Sequence, residues 1–294
     1  MGKTIQEMLA HQASQGNTQQ PQYLDTVEAY DKWAEVYDTD GNFLQRLDTL
    51  QMRTLLPRFL DLVSSRFAEV ADPLALVDLG CGTGRNTVLM LEALHASQTE
   101  GRDASSLQEV EIVGLDASPG MLDVARNAIQ SARKGRGIDR DVSLGMFDLL
   151  RPTSTMAQLP SALKGPGASG VISTLVLEHI PLEKFFEAAS SIMMPGAYFL
   201  VTNMHAEMGS RSQAGFTDPK TGVKIRPTSY CHSIPEVLAA AEKAGFQIED
   251  LYGNKEDSAV VERDVDERLA EVLGERARKW IGVKVWFGVC FSKK

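Results

Sequence analysis

The five residues Gly80-Cys81-Gly82-Thr83-Gly84 follow directly on the apolar run LALVDL, and a segment of helical period begins at Arg85. Glycines at this spacing allow a tight turn and a close approach of backbone to ligand. The helix that follows offers unpaired N–H groups and the positive end of its dipole to an anion. That chemistry is the binding of a nucleotide-like cofactor, and the strand-loop-helix context separates it from a merely structural turn. Asp78 stands just before the loop. A second acid, Asp116, closes the next apolar run, EIVGLD; a carboxylate at the carboxyl end of a second strand can accept hydrogen bonds from both hydroxyls of a ribose. Ala117 follows it, and Ser118 is placed to cap the next helix, whose Met121 and Leu122 either wall an adenine ring or belong to the core. A third acid lies in Phe147-Asp148-Leu149, at the end of a short strand, where it can accept from an amino group while Phe147 packs on a ring.

Proton-handling residues come from three histidines. His179 follows the run GVISTLV, and His205 follows AYFLVTN. In an open α/β sheet the ligand lies outside the carboxyl ends of the strands, so both are expected near the reacting group. His232 precedes a capping box, Ser233 with Glu236, and is a third candidate for the substrate pocket. His205 is the favoured proton acceptor, because it opens the long connection over residues 204–233 that reads as a substrate-side wall. Cys231 and His232 do not form a nucleophile pair, since sequence neighbours point apart.

The elements that must position these residues are legible as an alternation. LALVDL, EIVGLD, GVISTLV and AYFLVTN alternate with RNTVLMLEALHA, SPGMLDVARNAIQSA and LEKFFEAASSIMM, which have helical period. Alternating strand and helix gives an α/β fold: a doubly wound, mostly parallel sheet with helices on both faces. FQIEDLYG and VKVWFGVCF add two strands around a charged helix with the apolar stripe Val265, Leu269, Val272, Leu273 and Trp280, and make the last strand antiparallel. Residues 1–22 are Gln-rich and read as a mobile arm. Residues 23–68 read as a helical extension with a break or kink at Pro57, and residues 69–294 as the main α/β domain. The polar stretch SQTEGRDASSLQ reads as an enlarged surface loop.

Composition bounds the function. A chain of 294 residues that is 43% hydrophobic has a core, which excludes collagenous and disordered classes. Net charge −9 with a pI near 5.2 argues against nucleic acid as a partner. No stretch has the length of a membrane span, and the N-terminal residues lack the apolar run of a signal peptide. Three cysteines far apart in sequence point to free thiols in a cytoplasmic setting and to no metal site. Oligomeric state is not encoded in any of these features.

With its spaced companions, VDLGCGTG over residues 77–84 resembles the first motif of the class I S-adenosylmethionine-dependent methyltransferases, and the resemblance runs from about residue 30 to the end of the chain. It implies a seven-stranded sheet, S-adenosyl-L-methionine as cofactor, and methyl transfer to a small-molecule substrate with release of S-adenosylhomocysteine. It assigns the loop from Asp78 to Gly84, together with Asp116, Ala117 and Met121, to the cofactor. Asp148 falls to the adenine amino group, with Phe147 and Leu149 beside it. The stretch YDKWAEVYD, residues 30–38, resembles a segment that folds over the cofactor as a lid and brings Tyr37 to it. Tyr30, Trp33 and Tyr37 share one helical face, which also suits a helix packed on the core. Two rivals stand: a non-catalytic methyltransferase-like binding or scaffold protein, and a nicotinamide-dependent oxidoreductase. The second fits poorly, because the third glycine of GxGxxG would fall at Arg85. No carboxylate pair for a metal and no Asn-Pro-Pro-Tyr-like tetrad follows the fourth strand.

Overall fold

The computed structural model describes residues 4–10, 21–70, 73–99, 110–251 and 259–294. The central sheet contains five parallel strands in the order β4 (Val142–Met146), β3 (Glu111–Asp116), β2 (Ala75–Leu79), β5 (Ala168–Thr174) and β6 (Met193–Met204). Helices cover both faces, so every residue of β2 and β5 is buried, the polar Asp78, Ser169, Ser173 and Thr174 included. β11 (Lys284–Lys293) joins antiparallel to β6, as expected of the last strand. Both β9 (Phe246–Glu249) and β10 (Val260–Asp264) pair antiparallel with β11, at different positions along it.

Among the described residues the sheet therefore has eight strands rather than seven. The additional strand is VVERD, Val260–Asp264. It lies at an edge, is nowhere fully buried, and so lacks the apolar alternation that marks a strand in sequence.

Two hydrophobic cores lie on the two faces. One gathers α3 (Phe43–Arg66), α4 (Arg85–Thr99), α10 (Glu267–Leu273) and α11 (Glu275–Arg278). The other gathers α7 (Leu182–Ile192) and α9 (Ile234–Lys243). α5 (Pro119–Arg136) follows β3, capped as expected by Ser118, whose hydroxyl accepts from the Met121 N–H at 3.1 Å. α3 begins at Asn42, whose side chain accepts from the Leu44 N–H, and runs unbroken through Pro57 for 24 residues. The apolar stripe near the C-terminus holds at Val265, Leu273 and Trp280, but Val272 is exposed, because Gly274 ends α10 and starts α11 in a new direction.

The connection after β6 is ordered: α8 (Ala206–Gly209), β7 (Phe216–Thr217) and β8 (Lys224–Pro227). β1 (Gln22–Leu24) pairs parallel with β8, and β7 pairs antiparallel with it, forming a second small sheet. This docks α2 (Thr26–Trp33) over the carboxyl ends of the main sheet. The expected mobile arm is corrected in part. α1 (Ile5–Ala10) packs onto the chain: the Ile5 N–H donates to the Ser229 carbonyl at 2.8 Å, and Ile5 is fully buried. Residues 11–20 lie outside the described residues, as does the enlarged surface loop beyond residue 99. A short α6 (Pro152–Thr155) completes the helices.

Candidate active site

Strand register brings the separate motifs to one level. Leu79 pairs with Leu115 and Asp116 with Met146, so the glycine loop, Asp116 and Phe147 leave the sheet side by side. The loop is tied back by its own backbone, with the N–H groups of Gly80 and Cys81 both donating to the Leu115 carbonyl. Its three glycines are needed for different reasons. Gly80 (φ +77°) would put a Cβ 2.4 Å from a Val176 methyl, and Gly84 (φ +85°) would put one 3.1 Å from Ala125 of α5. Gly82 (φ +54°) faces open space, with nothing within 4 Å of a Cβ. The first and third let the chain pack, and the middle one leaves room for a ligand.

Asp116 is the hinge of the site. One carboxylate oxygen accepts from the Gly82 N–H at 2.8 Å and the other from the Ser118 N–H at 2.9 Å. Burial raises its pKa, and the backbone donors of Ser118, Gly82 and Ala117 oppose that rise. Each oxygen keeps lone-pair capacity for a further donor.

A cleft opens at this level, lined by Gly80, Gly82, Asp116, Ala117, Phe147, Asp148 and Leu149 on one side. Tyr30, Tyr37, Thr174, Val176 and His179 line the other. Asp148 is engaged by its own turn, accepting from the Leu150 N–H at 2.9 Å and from Arg151 Nε at 2.8 Å. Leu175, also in the cleft, is the one non-glycine residue with left-handed backbone (φ 57°) among the described residues. Such strain is held only where surrounding structure imposes it, and it clusters at functional sites.

The segment over residues 30–38 is bound at several points. Asp31 accepts from the Ser118 hydroxyl at 2.8 Å and from the Gly120 N–H at 2.7 Å, at the start of α5. Asp38 accepts from the Thr83 hydroxyl at 2.9 Å. Trp33 is core, stacked on Phe216 at 5.1 Å and buried with Ala29 and Ile225, whereas Tyr30 and Tyr37 face the cleft. One aromatic stripe thus faces two ways, Trp33 into the core and Tyr30 and Tyr37 towards the cleft. Burial pushes both phenols well above their ordinary pKa.

His179 and Tyr30 form a pair. The Thr228 carbonyl 2.9 Å from Nδ1 can only accept, so Nδ1 carries the proton. Nε2 is then free to accept from the Tyr30 hydroxyl at 2.7 Å. Glu178 Oε1 stands 3.3 Å from the same nitrogen.

Other expected site residues lie outside the cleft. His205 caps α8: its Nδ1 accepts from the Glu207 N–H at 3.1 Å, and its Nε2 meets Glu262 at 3.0 Å, which occupies both ring nitrogens. The strand that holds Glu262 was the one not legible in sequence. His232 is buried, Nε2 donates to the Ile180 carbonyl at 3.0 Å, and desolvation lowers its pKa, so it braces the loop that carries His179. Met121 is core, packed with Trp33 and Phe216. Cys81 is buried under the loop, its thiol pushed up by burial and by the nearby acids Asp116 and Asp78. Thr83 and Gly84 open onto a separate groove with Asp38 and Arg85. Asp78 accepts from the Thr87 hydroxyl at 2.6 Å, its other oxygen has no partner, and burial raises its pKa to about 6. Among the described residues no group of three or more His, Cys, Asp or Glu is placed to hold a metal ion.

A doubly wound sheet whose glycine loop, acid-ended strand and histidine loop converge on one cleft has the layout of the class I methyltransferase fold. The chain belongs to the methyltransferases: it is 52% identical over 301 aligned residues to a protein of Emericella nidulans named as an uncharacterized methyltransferase, covering 98% of this chain and 99% of that one. No family model matches the chain. Similar solved structures include an S-adenosylmethionine-dependent methyltransferase from Mesorhizobium loti, 18% identical with a TM-score of 0.48 over 75% of this chain and 91% of that one. Another, from Aquifex aeolicus, is 14% identical with a TM-score of 0.48 over 89% and 98% of the two chains.

Proposed function

We propose that the protein transfers a methyl group from S-adenosyl-L-methionine to a small-molecule acceptor and releases S-adenosylhomocysteine. The observation that carries this reading is Asp116, whose two oxygens are held by backbone N–H groups at the edge of the cleft with lone pairs to spare. Two ribose hydroxyls suit that pair of acceptors. The open space beside Gly82 suits the amino-acid portion of the cofactor, and Phe147 and Leu149 offer apolar surface to a purine.

When bound, the cofactor supplies an electrophilic methyl on a sulfonium, which leaves the protein to align the acceptor and take its proton. Tyr30 and His179 are suited to this. The Tyr30 oxygen accepts the acceptor's proton while its own passes along the 2.7 Å bond to His179 Nε2. The imidazolium formed has Glu178 Oε1 beside it as counter-charge. The Thr228 carbonyl keeps the ring in the orientation this transfer needs. Enclosure by the lid excludes water from the transfer. Free thiols at Cys81, Cys231 and Cys290 support a cytoplasmic setting, and the acidic net charge supports an acceptor other than nucleic acid.

Calorimetry tests the reading. S-adenosylmethionine and S-adenosylhomocysteine should bind and NADH should not, and Asp116→Ala should weaken cofactor binding by about 1.5–3 kcal/mol in a folded protein. Binding of NADH alone would overturn it, and transfer of a labelled methyl group separates an enzyme from a scaffold.

A further inference from the structure

A second cavity lies behind the lid, and of its walls the chemistry above uses only Glu178. Its walls come from distant parts of the chain: Trp33 from the lid, Phe43 from α3, Met204 and Met208 from the exit of β6, and Glu178 and Trp280. Two buried polar atoms of these last residues have no hydrogen-bond partner, Glu178 Oε2 and Trp280 Nε1, and each residue is only 5% exposed. One is an acceptor and the other a donor. An unpaired buried polar group is costly, the more so when charged, so two orphans of opposite sense on one cavity mark a place where a ligand supplies the partners.

The charges around the cavity are asymmetric. Arg276 and Lys279 stand exposed at its mouth. Arg276 donates to the Asp40 carbonyl. Lys279 holds its ammonium 5.3 Å from the centre of the Trp280 ring and meets no carboxylate at ion-pair distance among the described residues. The other acid on the cavity, Asp40, already has a donor on each oxygen, Trp33 Nε1 at 3.0 Å and the Asn42 N–H at 2.9 Å, whereas Glu178 Oε2 has none. Glu178 is thus the buried negative end and Lys279 the open positive end. The cavity also shares a wall with the cleft. Glu178 adjoins His179, and the Trp33 ring packs on Tyr30 and Tyr37 with centroids 5.4 and 5.2 Å apart.

We propose that this cavity is the acceptor chamber, and that its occupant is a small zwitterion with an amine at one end and an acid group at the other. The inference rests on the methyl-transfer reading and deepens it. The amine meets Glu178 Oε2, because a buried carboxylate is best paired by a cation with several N–H donors. The acid group accepts from Trp280 Nε1 and pairs with Lys279. The ammonium loses one proton to the Tyr30–His179 pair. Its nitrogen then bonds the methyl carbon as the carbon–sulfur bond of the donor breaks, with the electron pair left on sulfur. A hydroxyl has a single hydrogen and no charge, so it answers Glu178 less well.

The full chain, saturated with S-adenosylhomocysteine, is titrated with ω-amino acids from β-alanine to 6-aminohexanoate, with the matching ω-hydroxy acids and with simple alkylamines. Binding is followed by calorimetry and by fluorescence of Trp33 and Trp280. At least one amino acid should bind, with its hydroxy-acid and alkylamine counterparts at least about tenfold weaker. Lys279→Ala and Trp280→Phe should each weaken it by about tenfold while changing affinity for S-adenosylhomocysteine less than about twofold. No binding by any amino acid, equal binding of the hydroxy acid, or indifference to both substitutions overturns the proposal. Failure of S-adenosylhomocysteine itself to bind would instead bring down the methyl-transfer reading beneath it.

Discussion

The two sides of the cleft are held by different means. On the glycine-loop side the contacts run between backbone groups and one carboxylate: Gly80 and Cys81 to the Leu115 carbonyl, Gly82 and Ser118 to Asp116. On the histidine side they run between side chains and loops from three segments. Tyr30 is 149 residues from His179, and Thr228 is 49 residues from it. Holding a ligand can be done by a turn, which a handful of neighbouring residues specify. Moving a proton needs side chains whose meeting depends on the lid, the sheet and the connection after β6 together.

The largest test of this contrast is on the histidine side. Tyr30→Phe or His179→Ala should lower methyl transfer by about 10² to 10⁴, roughly 3–5 kcal/mol of barrier, with a much smaller change in S-adenosylhomocysteine binding. Steady-state rates beside calorimetry would show the split. A comparable loss of rate in His205→Ala would place the proton acceptor elsewhere and break the comparison.

On the loop side the expected loss is of stability rather than rate. Gly80→Ala meets both a left-handed φ and the Val176 methyl, and should cost about 2–5 kcal/mol in urea unfolding. Gly82→Ala meets only the φ penalty, about 1–2 kcal/mol, but its methyl group enters the cleft and should weaken cofactor binding. Equal destabilisation by the two would mean that the loop's glycines do not divide their roles as described.

Asp78 supplies a pH-dependent effect of similar or smaller size. Its folded pKa of about 6 is above the ordinary 3.8 of an aspartate, so between about pH 4 and 6 the folded state holds a proton that the unfolded chain has released. Stability from this group is therefore full below about pH 4 and lost as pH rises through 6, by about 3 kcal/mol. Asp78→Asn should remove that slope, and unfolding midpoints measured from pH 4 to 8 would show it. The smallest effect is again at His205. Loss of its cap in His205→Ala should cost about 1 kcal/mol with the rate intact.

Motifs confined to one strand and its loop were readable in the sequence. The glycine loop, Asp116 and the cap at Ser118 all stand where the alternation of strand and helix put them, because each depends on backbone conformation within a few residues. Met121 was open between ring wall and core, and packing against Trp33 and Phe216 decided it. Tyr30 was read only as part of an aromatic stripe. Its hydroxyl, at the first position of YDKWAEVYD, was the one signal that it could be more than packing.

The sequence by itself determined the fold class, the parallel direction of the cofactor-side strands and the acid that closes the second of them, since period and turn chemistry act over short stretches of chain. Tertiary structure alone decided which histidine reaches the cleft. His179 and His205 both follow parallel strands, but an edge strand brings Glu262 to His205, while the lid brings Tyr30 to His179. It also made the second cavity, whose unpaired atoms lie on residues about a hundred positions apart. Periodicity says which face of an element is buried, but which buried polar groups meet is set only when distant elements pack against one another.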